Sequence, residues 1–562
     1  MKFLPSQLSY FIQHKDVKRN LRALLEFVAV LVFAIVTYST IFHFIMEYEG
    51  KHYSWITGFY WTLTVMSTLG FGDITFTSDL GRVFSIVVLL SGIIFLLIML
   101  PFTFIKFFYA PWLESQAQSR APRELPSDTR KHVIITNLDP VAGSLIKKLD
   151  QYNFQYVIVV DDIQKASDLK DKGYSVVVGY LDKPDTYVSL RVENAALVFV
   201  NNNDIINTNI VATIREVSES VPIVTNVDND NSMDILDLAG ATHIFQFAKM
   251  LGIATAQHVL GATAQANILG GFGELLIAEA HAFHTPFEGK TLIESKLRES
   301  TGINVIGTWK RGKFEPPSPD TVIESSTILL LSGSAEHFRR YDEEIGGHRT
   351  FTAPVVILGG GRVGQAAAEV LSEHGVDFRV VEENPQRIRD DERYILGSAA
   401  DVHVLERAGI SQEAPTVLIT THDDDVNIYL TIYCRQLRPK IQIISRATLD
   451  RNISKLYNAG ADIVLSFSSM GSNRIINILK PDEILMLAEG LSVFKSNVPS
   501  FLIGKSMSSN DIRDKTGCNV IAVQSGGRMN INPLPDVILN RDDELILIGT
   551  AETEKLFLES YS

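Results

Sequence analysis

Apolar positions along this chain follow two different rhythms. Phe27 to Met46 is a run of 20 residues in which His43 is the only ionisable side chain, and Val83 to Ile105 carries no charge at all. At 1.5 Å of rise per residue, each run is long enough to cross a hydrocarbon core of about 30 Å. Between them Trp55 to Ser67 is apolar but too short to cross. It reads as a re-entrant half-helix leading into an extended loop. Such backbone at membrane depth is tolerated only when it is buried in protein or lines water. From residue 132 onward the rhythm changes to short β-branched runs separated by helical stretches. Tyr156–Val160, Ser175–Val178, Ala196–Val200 and Ile223–Asn226 form one series; Phe378–Val381, Thr416–Thr420 and Ile441–Ser445 form another. Continuous apolar strands alternating with helices predict parallel, doubly wound sheets. Each series closes in a smaller lobe with late strands at Ile328–Leu331 and Glu544–Ile548.

The two series are one unit written twice. Val133-Ile134-Ile135 matches Val355-Val356-Ile357 at an offset of 222 residues, and Leu238-Ala239-Gly240-Ala241 matches Asn458-Ala459-Gly460-Ala461 at 220. Thr301-Gly302 and Asn304-Val305-Ile306 match Thr516-Gly517 and Asn519-Val520-Ile521 at 215. Three collinear matches define a duplication. The expected organisation is an α-helical membrane pore over 1–110, with two spans and a re-entrant helix, and a Pro-containing polar tether over 111–131. Two α/β Rossmann-like units follow, each with a small α+β lobe. The first covers 132–348, with an N-lobe at 132–248, crossover helices at 249–280 and a C-lobe at 281–348. The second covers 353–562, divided as 353–466, 467–490 and 491–562.

Thr68-Leu69-Gly70-Phe71-Gly72-Asp73 lies between the two spans. It resembles the potassium-channel signature TVGYGD, with Leu69 and Phe71 as conservative departures from Val and Tyr. Four such loops around one axis can replace the water shell of potassium with carbonyl oxygens, and one chain cannot enclose the loop. Asp73 is expected to ring the mouth and concentrate cations. Trp55, Tyr60 and Trp61 read as pore-helix and interface aromatics, or as packing residues. In the second span Gly92 fits either a hinge of the kind found in gated potassium channels or a close helix contact. Below it Leu96, Leu97 and Leu100 form an apolar end that could gate by dewetting. No voltage-sensor arginine pattern is present.

Charge gives the orientation. Residues 1–110 carry a net +2 and the rest of the chain −16, which argues against a nucleic-acid partner. Lys2, Lys15, Lys18, Arg19 and Arg22 precede the first span, and Lys106, Arg120 and Arg123 follow the second. The positive-inside rule then puts both termini of a multi-pass plasma-membrane protein in the cytoplasm. Two cysteines, Cys434 and Cys518, exclude a disulfide scaffold.

A two-span pore followed by two such units resembles the tandem-RCK potassium channels, prokaryotic and multi-ligand-gated, where RCK denotes a domain regulating potassium conductance. The resemblance implies a homotetramer in the bilayer whose eight RCK domains form a cytoplasmic gating ring, and no catalysis of covalent chemistry. A ligand moves such a gate only through its different affinity for two ring states.

The second unit holds a candidate ligand site. Gly359-Gly360-Gly361-Arg362-Val363-Gly364 follows a strand and precedes a helix, a GxGxxG that brings backbone N–H groups and a helix N-terminus to a pyrophosphate. Glu382 lies 23 residues after Gly359, where an acid holds ribose hydroxyls. A carboxylate there favours ADP or NAD over a 2′-phosphorylated dinucleotide. The first unit has Asn137-Leu138-Asp139-Pro140-Val141-Ala142 at the matching place and is expected to bind no dinucleotide, although Asp161 and Asp162 remain. Asp228, Asp230 and Asp234 are candidate calcium ligands on a loop with alternating oxygens, without the turn glycine and distal Glu of an EF-hand. Solvated acids or helix caps explain that loop, and Asp423-Asp424-Asp425, equally simply. Two other functions fit parts of the pattern: a membrane-tethered NAD-dependent oxidoreductase, and a non-selective cation channel if Leu69 and Phe71 loosen the filter.

Overall fold

The structure is a computed structural model that describes residues 15–109, 122–260, 266–282, 285–310, 313–324, 327–345, 353–411, 414–481, 483–487, 490–509 and 512–561. Lys2 and the 111–121 part of the tether lie outside the described residues. The chain forms two compact units, one with the N-terminal helices and one with the two repeats.

In the first unit α1 (Lys15–Tyr48) and α3 (Asp79–Gly92) flank the short α2 (Trp55–Met66). Residues Glu26–Tyr48 and Asp79–Thr103 are long and apolar enough to cross a membrane. Phe42, Met46, Trp61, Met66, Phe76 and Val88 close into a small buried core. The second span is not one regular helix. After Gly92 it widens into a π-helical segment, Ile93–Met99, and resumes as an α-helix at Leu100–Phe104. Pro101 supplies a physical reason: it has no N–H to give, and its ring opposes the carbonyl of Leu97 one turn back. The Leu100 amide accordingly reaches the Phe95 carbonyl, five residues back.

The second unit contains the repeats. The first builds β1 (Val133–Ile135), α4 (Pro140–Gln151), β2 (Tyr156–Val160), β3 (Val176–Val178), β4 (Leu197–Val200), α5 (Asp204–Val217), β5 (Ile223–Asn226), α6 (Met233–Leu238), β6 (His243–Phe245) and α7 (Phe247–Leu260). Its six strands are parallel in the order β3-β2-β1-β4-β5-β6. This is the doubly wound order that opens a crevice between β1 and β4. An antiparallel lobe follows: β7 (Asn267–Phe272), β8 (Leu275–His281), β9 (Asn304–Lys310), β10 (Lys313–Glu315) and β11 (Ile328–Gly333), ordered β10-β9-β11-β8-β7.

The second repeat repeats the plan. Its parallel sheet has β12 (Val355–Leu358), α8 (Arg362–Glu373), β13 (Phe378–Glu382), β14 (Tyr394–Leu396), β15 (Thr416–Ile419), α9 (Asp424–Leu437), β16 (Gln442–Ala447) and β17 (Ile463–Ser466), ordered β14-β13-β12-β15-β16-β17. Helix α10 (Phe467–Leu479) leads to β18 (Ile484–Met486), β19 (Leu491–Asn497), β20 (Asn519–Ser525), β21 (Arg528–Ile531), β22 (Glu544–Thr550) and the closing helix α11 (Ala551–Tyr561).

The stretch 249–280, expected as crossover helices, is corrected by the structure. Helix is described as far as Leu260, and Asn267–His281 is an antiparallel strand pair belonging to the C-lobe sheet. Likewise Ile484–Met486, inside the expected crossover 467–490, is an edge strand. The helices that do cross over are exchanged. α7 of the first repeat packs on α8 of the second, and α10 packs on α4 of the first. Ala256 and Val259 of α7 are buried with Val355, Ile357 and Leu371 of the second repeat. The two lobes also share a core, in which Leu275, Ile277 and Ile306 meet Val493, Ile521 and Ile546.

Candidate pore loop and nucleotide site

The pore loop begins where α2 ends. Ser54 caps the start of α2 by accepting from the Thr57 amide. Past its other end Thr68, Gly70 and Gly72 have φ of 63°, 47° and 76°, whereas Leu69 and Phe71 between them stay at negative φ. This alternation turns successive carbonyls toward one side. Glycine takes such a conformation without strain, and threonine does so only when held. Here the Thr68 amide donates to the Val65 carbonyl (3.0 Å) and the Gly70 amide to the Thr64 carbonyl (3.1 Å). No atom lies within 4 Å of a Cβ placed on Gly70 or Gly72. Their role within one chain is therefore conformational rather than steric.

Asp73 is fixed by Tyr60, whose hydroxyl donates to Oδ2 at 2.9 Å. The Tyr60 ring also runs parallel to that of Phe71, at 6.4 Å between centroids. Glu49, which the sequence presents only as a loop charge, ties the loop down. Its carboxylate accepts from the Thr77 and Ser78 amides and from both hydroxyls, at 2.6–3.0 Å, and pairs with Lys51 at 3.1 Å. The Ser78 hydroxyl, with the other Thr77 and Ser78 donors, holds the Glu49 carboxyl well below the usual range.

Gly92 resolves toward the close-contact reading. A Cβ there would lie 2.3 Å from the Met66 carbonyl oxygen and 2.4 Å from its Cα. The three leucines below it part company. Leu96 packs against the buried core of the first unit, and Leu97 and Leu100 are exposed on the single chain.

In the second repeat Gly359, Gly361, Arg362, Val363 and Glu382 line a cavity of about 1090 Å³ at the crevice between β12 and β15. Gly359 has a φ of 107°. Gly364 lies against the turn, so that a Cβ there would sit 2.0 Å from the Gly359 carbonyl oxygen. Around Gly361, by contrast, the nearest atom to such a Cβ is Arg387 Nη1 at 3.9 Å, leaving the start of α8 open to a ligand. Glu382 is buried and already engaged. Its two oxygens accept from the Gly360 and Asn384 amides, each at 2.8 Å, and Arg387 stands 3.8 Å away. It shapes the glycine turn.

Three wall residues escape a reading of the motif. The Thr420 hydroxyl donates to the Gly359 carbonyl at 2.8 Å and braces the turn. Arg446, at the end of β16, stacks over Phe467 at 5.2 Å and has a buried Nε without a partner among the described residues. Burial, opposed by Asp424 and assisted by Arg362, pulls its guanidinium down to about 10, so it remains cationic at neutral pH. Asp228 enters from the first repeat and pairs with Arg362. The duplication carries a signal for the cations. At the repeat offsets Arg362 falls opposite Pro140 and Arg446 opposite Asn226, so the first repeat lacks both arginines as well as the glycines.

In the first repeat the matching turn is bridged by asparagines. The side-chain amides of Asn137 and Asn201 each donate to the other's backbone carbonyl, at 3.3 and 3.0 Å. Asp139 caps α4 by accepting from the Ala142 amide at 2.7 Å, and burial pushes its carboxyl up.

The calcium expectation is not supported. Asp228 is taken by Arg362, Asp230 by Lys249 at 3.0 Å and by Gln246, and Asp234 stands exposed in the first turn of α6. Calcium needs six or more oxygens converging at about 2.3–2.6 Å. Among the described residues no group of three or more His, Cys, Asp or Glu side chains is placed to hold a metal ion. Asp423 caps α9, and Asp424 is buried accepting from the Thr448 and Leu449 amides, which gives these two acids structural roles.

Known proteins repeat this order of parts. An ion channel family model matches residues 27–109. The TrkA-N domain matches 133–247 and again 355–467, and the TrkA-C domain matches 281–346 and 493–560. A solved structure of the GsuK channel bound to NAD is 37% identical, with 97% of this chain and 99% of that chain covered and a TM-score of 0.59. Probable potassium channel protein 2 of Methanocaldococcus jannaschii is 27% identical over 253 residues, 41% of this chain and 73% of that protein. A Trk system potassium uptake protein TrkA homolog of Pyrococcus abyssi is 29% identical over 212 residues, 35% of this chain and 91% of that protein. Matched from end to end by a solved relative, and built from one pore segment and two paired regulatory domains, the chain belongs to the GsuK-like family of potassium channels with tandem RCK domains.

Proposed function

We propose that four copies of this chain form one potassium-selective pore around the Thr68–Asp73 loop, and that a nucleotide held in the second RCK domain biases its gate. ADP and NAD are the proposed ligands, at one site per chain. The observation that carries the ligand half is the asymmetry of the repeats. One crevice has a glycine turn, a helix N-terminus, and Arg362 and Arg446 at its wall; the matching turn of the other has Asn137, Asp139 and Ala142 in place of the glycines and Pro140 and Asn226 in place of the arginines. The solved relative is itself bound to NAD.

Assembly follows from what a single chain leaves uncovered. Leu69 and Phe71 of the filter loop are exposed. So are Ile205 and Leu238 on α5 and α6, and Tyr429 and Ile432 on α9, in corresponding parts of the two repeats. Further copies of the same chain, arranged about the pore axis, cover these faces. In this reading both termini are cytoplasmic, as the basic flanks of the spans require. Calcium gains no support from the geometry of Asp228, Asp230 and Asp234. Nor does a dehydrogenase reading, which leaves the left-handed alternation at Thr68, Gly70 and Gly72 without a use.

Calorimetry of the full-length channel in detergent with ADP and with NAD tests the ligand half. One site per chain is expected. Two per chain, or none, contradicts the assignment.

A further inference from the structure

The nucleotide crevice already contains an anion, and it comes from the other repeat. Asp228 follows β5 of the first repeat, Arg362 opens α8 of the second, and their side chains form an ion pair at the cavity wall. Asp228 is presented firmly. The buried Asp204 carboxylate accepts from the Asp228 amide at 2.8 Å and from the Asn229 amide at 3.0 Å, fixing the turn that carries it. The same pair also lines a smaller neighbouring cavity of about 240 Å³, so it stands as the partition between the two. Behind it Arg446 keeps a buried Nε without a partner among the described residues. The nearby Asp424 carboxylate is committed to the Thr448 and Leu449 amides and to Asn452.

A phosphate arriving at the start of α8 meets Arg362 at the place where Asp228 holds it. Two anions sharing one guanidinium repel each other, and the carboxylate must yield at least part of its contact. We infer that Asp228 is a built-in competitor for the ligand's phosphate: binding transfers Arg362 from the first repeat to the nucleotide and so loosens a contact between the two RCK domains. The inference rests on the second-repeat nucleotide site proposed above. By linkage, whatever strengthens the Arg362–Asp228 pair weakens phosphate binding, and the reverse. The pair is roughly half exposed on both sides, 55% and 41%. Exposed pairs couple weakly, so the competition is worth about two- to five-fold in affinity.

The test is titration calorimetry of the full-length channel in detergent with ADP and with adenosine, on the wild type, Asp228→Asn and Asp230→Asn. Asp228→Asn keeps the size of a partly exposed side chain and removes its charge. Asp230 pairs with Lys249 and lines only the smaller cavity, so its variant controls for loop charge in general. Asp228→Asn is expected to bind ADP about two- to five-fold more tightly, with adenosine affinity unchanged and Asp230→Asn equal to wild type. Equal ADP affinity in all three proteins overturns the competition and leaves the site standing. Tighter binding in both variants shows a general field effect and also overturns it. No ADP binding by the wild type, or undiminished binding in Gly361→Asp, overturns the site itself and the inference with it.

Discussion

In the proposed nucleotide site Glu382 has two roles at once, and this sets the cost of losing it. Its oxygens hold the Gly360 and Asn384 amides, so Glu382→Ala leaves two donors in a buried turn as well as removing a ribose acceptor. Nucleotide binding is expected to weaken by about 1–3 kcal/mol, the scale of a lost hydrogen bond to a charged group. Calorimetry measures this, and unchanged affinity refutes the role. The acid at the end of β13 was legible because the fingerprint fixes its distance from the first glycine. The roles of Glu49 and Asp228 were not legible, since the Thr77 and Ser78 donors to Glu49 lie 28 and 29 residues away and Arg362 lies 134 residues from Asp228. A carboxylate's partner is settled by tertiary packing, and a loop rich in Asp looks the same whether it faces calcium, arginine or water.

Among the elements, the inner span shows most clearly where sequence pattern stops. Its length and lack of charge were plain, and its break into a π-helical segment after Gly92 was not, although Pro101 marks the place. Leu96 turns inward to the single-chain core, and Leu97 and Leu100 stay free. This favours the latter two for an apolar constriction on the pore axis. Leu97→Asp is expected to wet it and raise ligand-free open probability in single-channel recordings. Leu96→Asp is expected instead to destabilise the first unit, by burying a charge. Equal basal activity in wild type and Leu97→Asp places the gate elsewhere. The strands Asn267–His281 escape the pattern for a related reason: a short apolar run such as Leu275–Ala280 does not separate a buried strand from a buried helix by periodicity.

Helix exchange between the repeats makes a further element-level prediction. Lys148 on α4 is half-buried against α10, donating to the Ser472 hydroxyl at 2.6 Å, and desolvation, partly offset by Asp450, pulls its amine down to about 8. Its ordinary value is 10.5. Between these two values the unfolded chain holds a proton that the folded chain does not, so this group's contribution to stability rises as pH climbs from about 8 to 10.5. Thermal unfolding of wild type and Lys148→Met across that window checks the sign. The wild type is expected to gain relative to the variant as pH rises.

For the whole molecule, the sequence carried the architecture because duplication and filter are both local signals. The repeat offsets, the strand runs and the glycine spacing each sit within a few tens of residues. What joins the two repeats was hidden: the exchanged α7 and α10, the common lobe core, and the ion pair across the crevice all depend on contacts more than a hundred residues apart. The proposed assembly joins a potassium filter to a nucleotide crevice. Single-channel recording of the reconstituted protein, with potassium opposed to sodium and ADP or NAD added to the face bearing the RCK domains, reads both at once. A reversal potential on the potassium side is expected, with an open probability that changes with nucleotide and with loss of that response, selectivity intact, in Gly361→Asp. Equal permeation of sodium and potassium, or an open probability indifferent to both nucleotides, refutes the assembly.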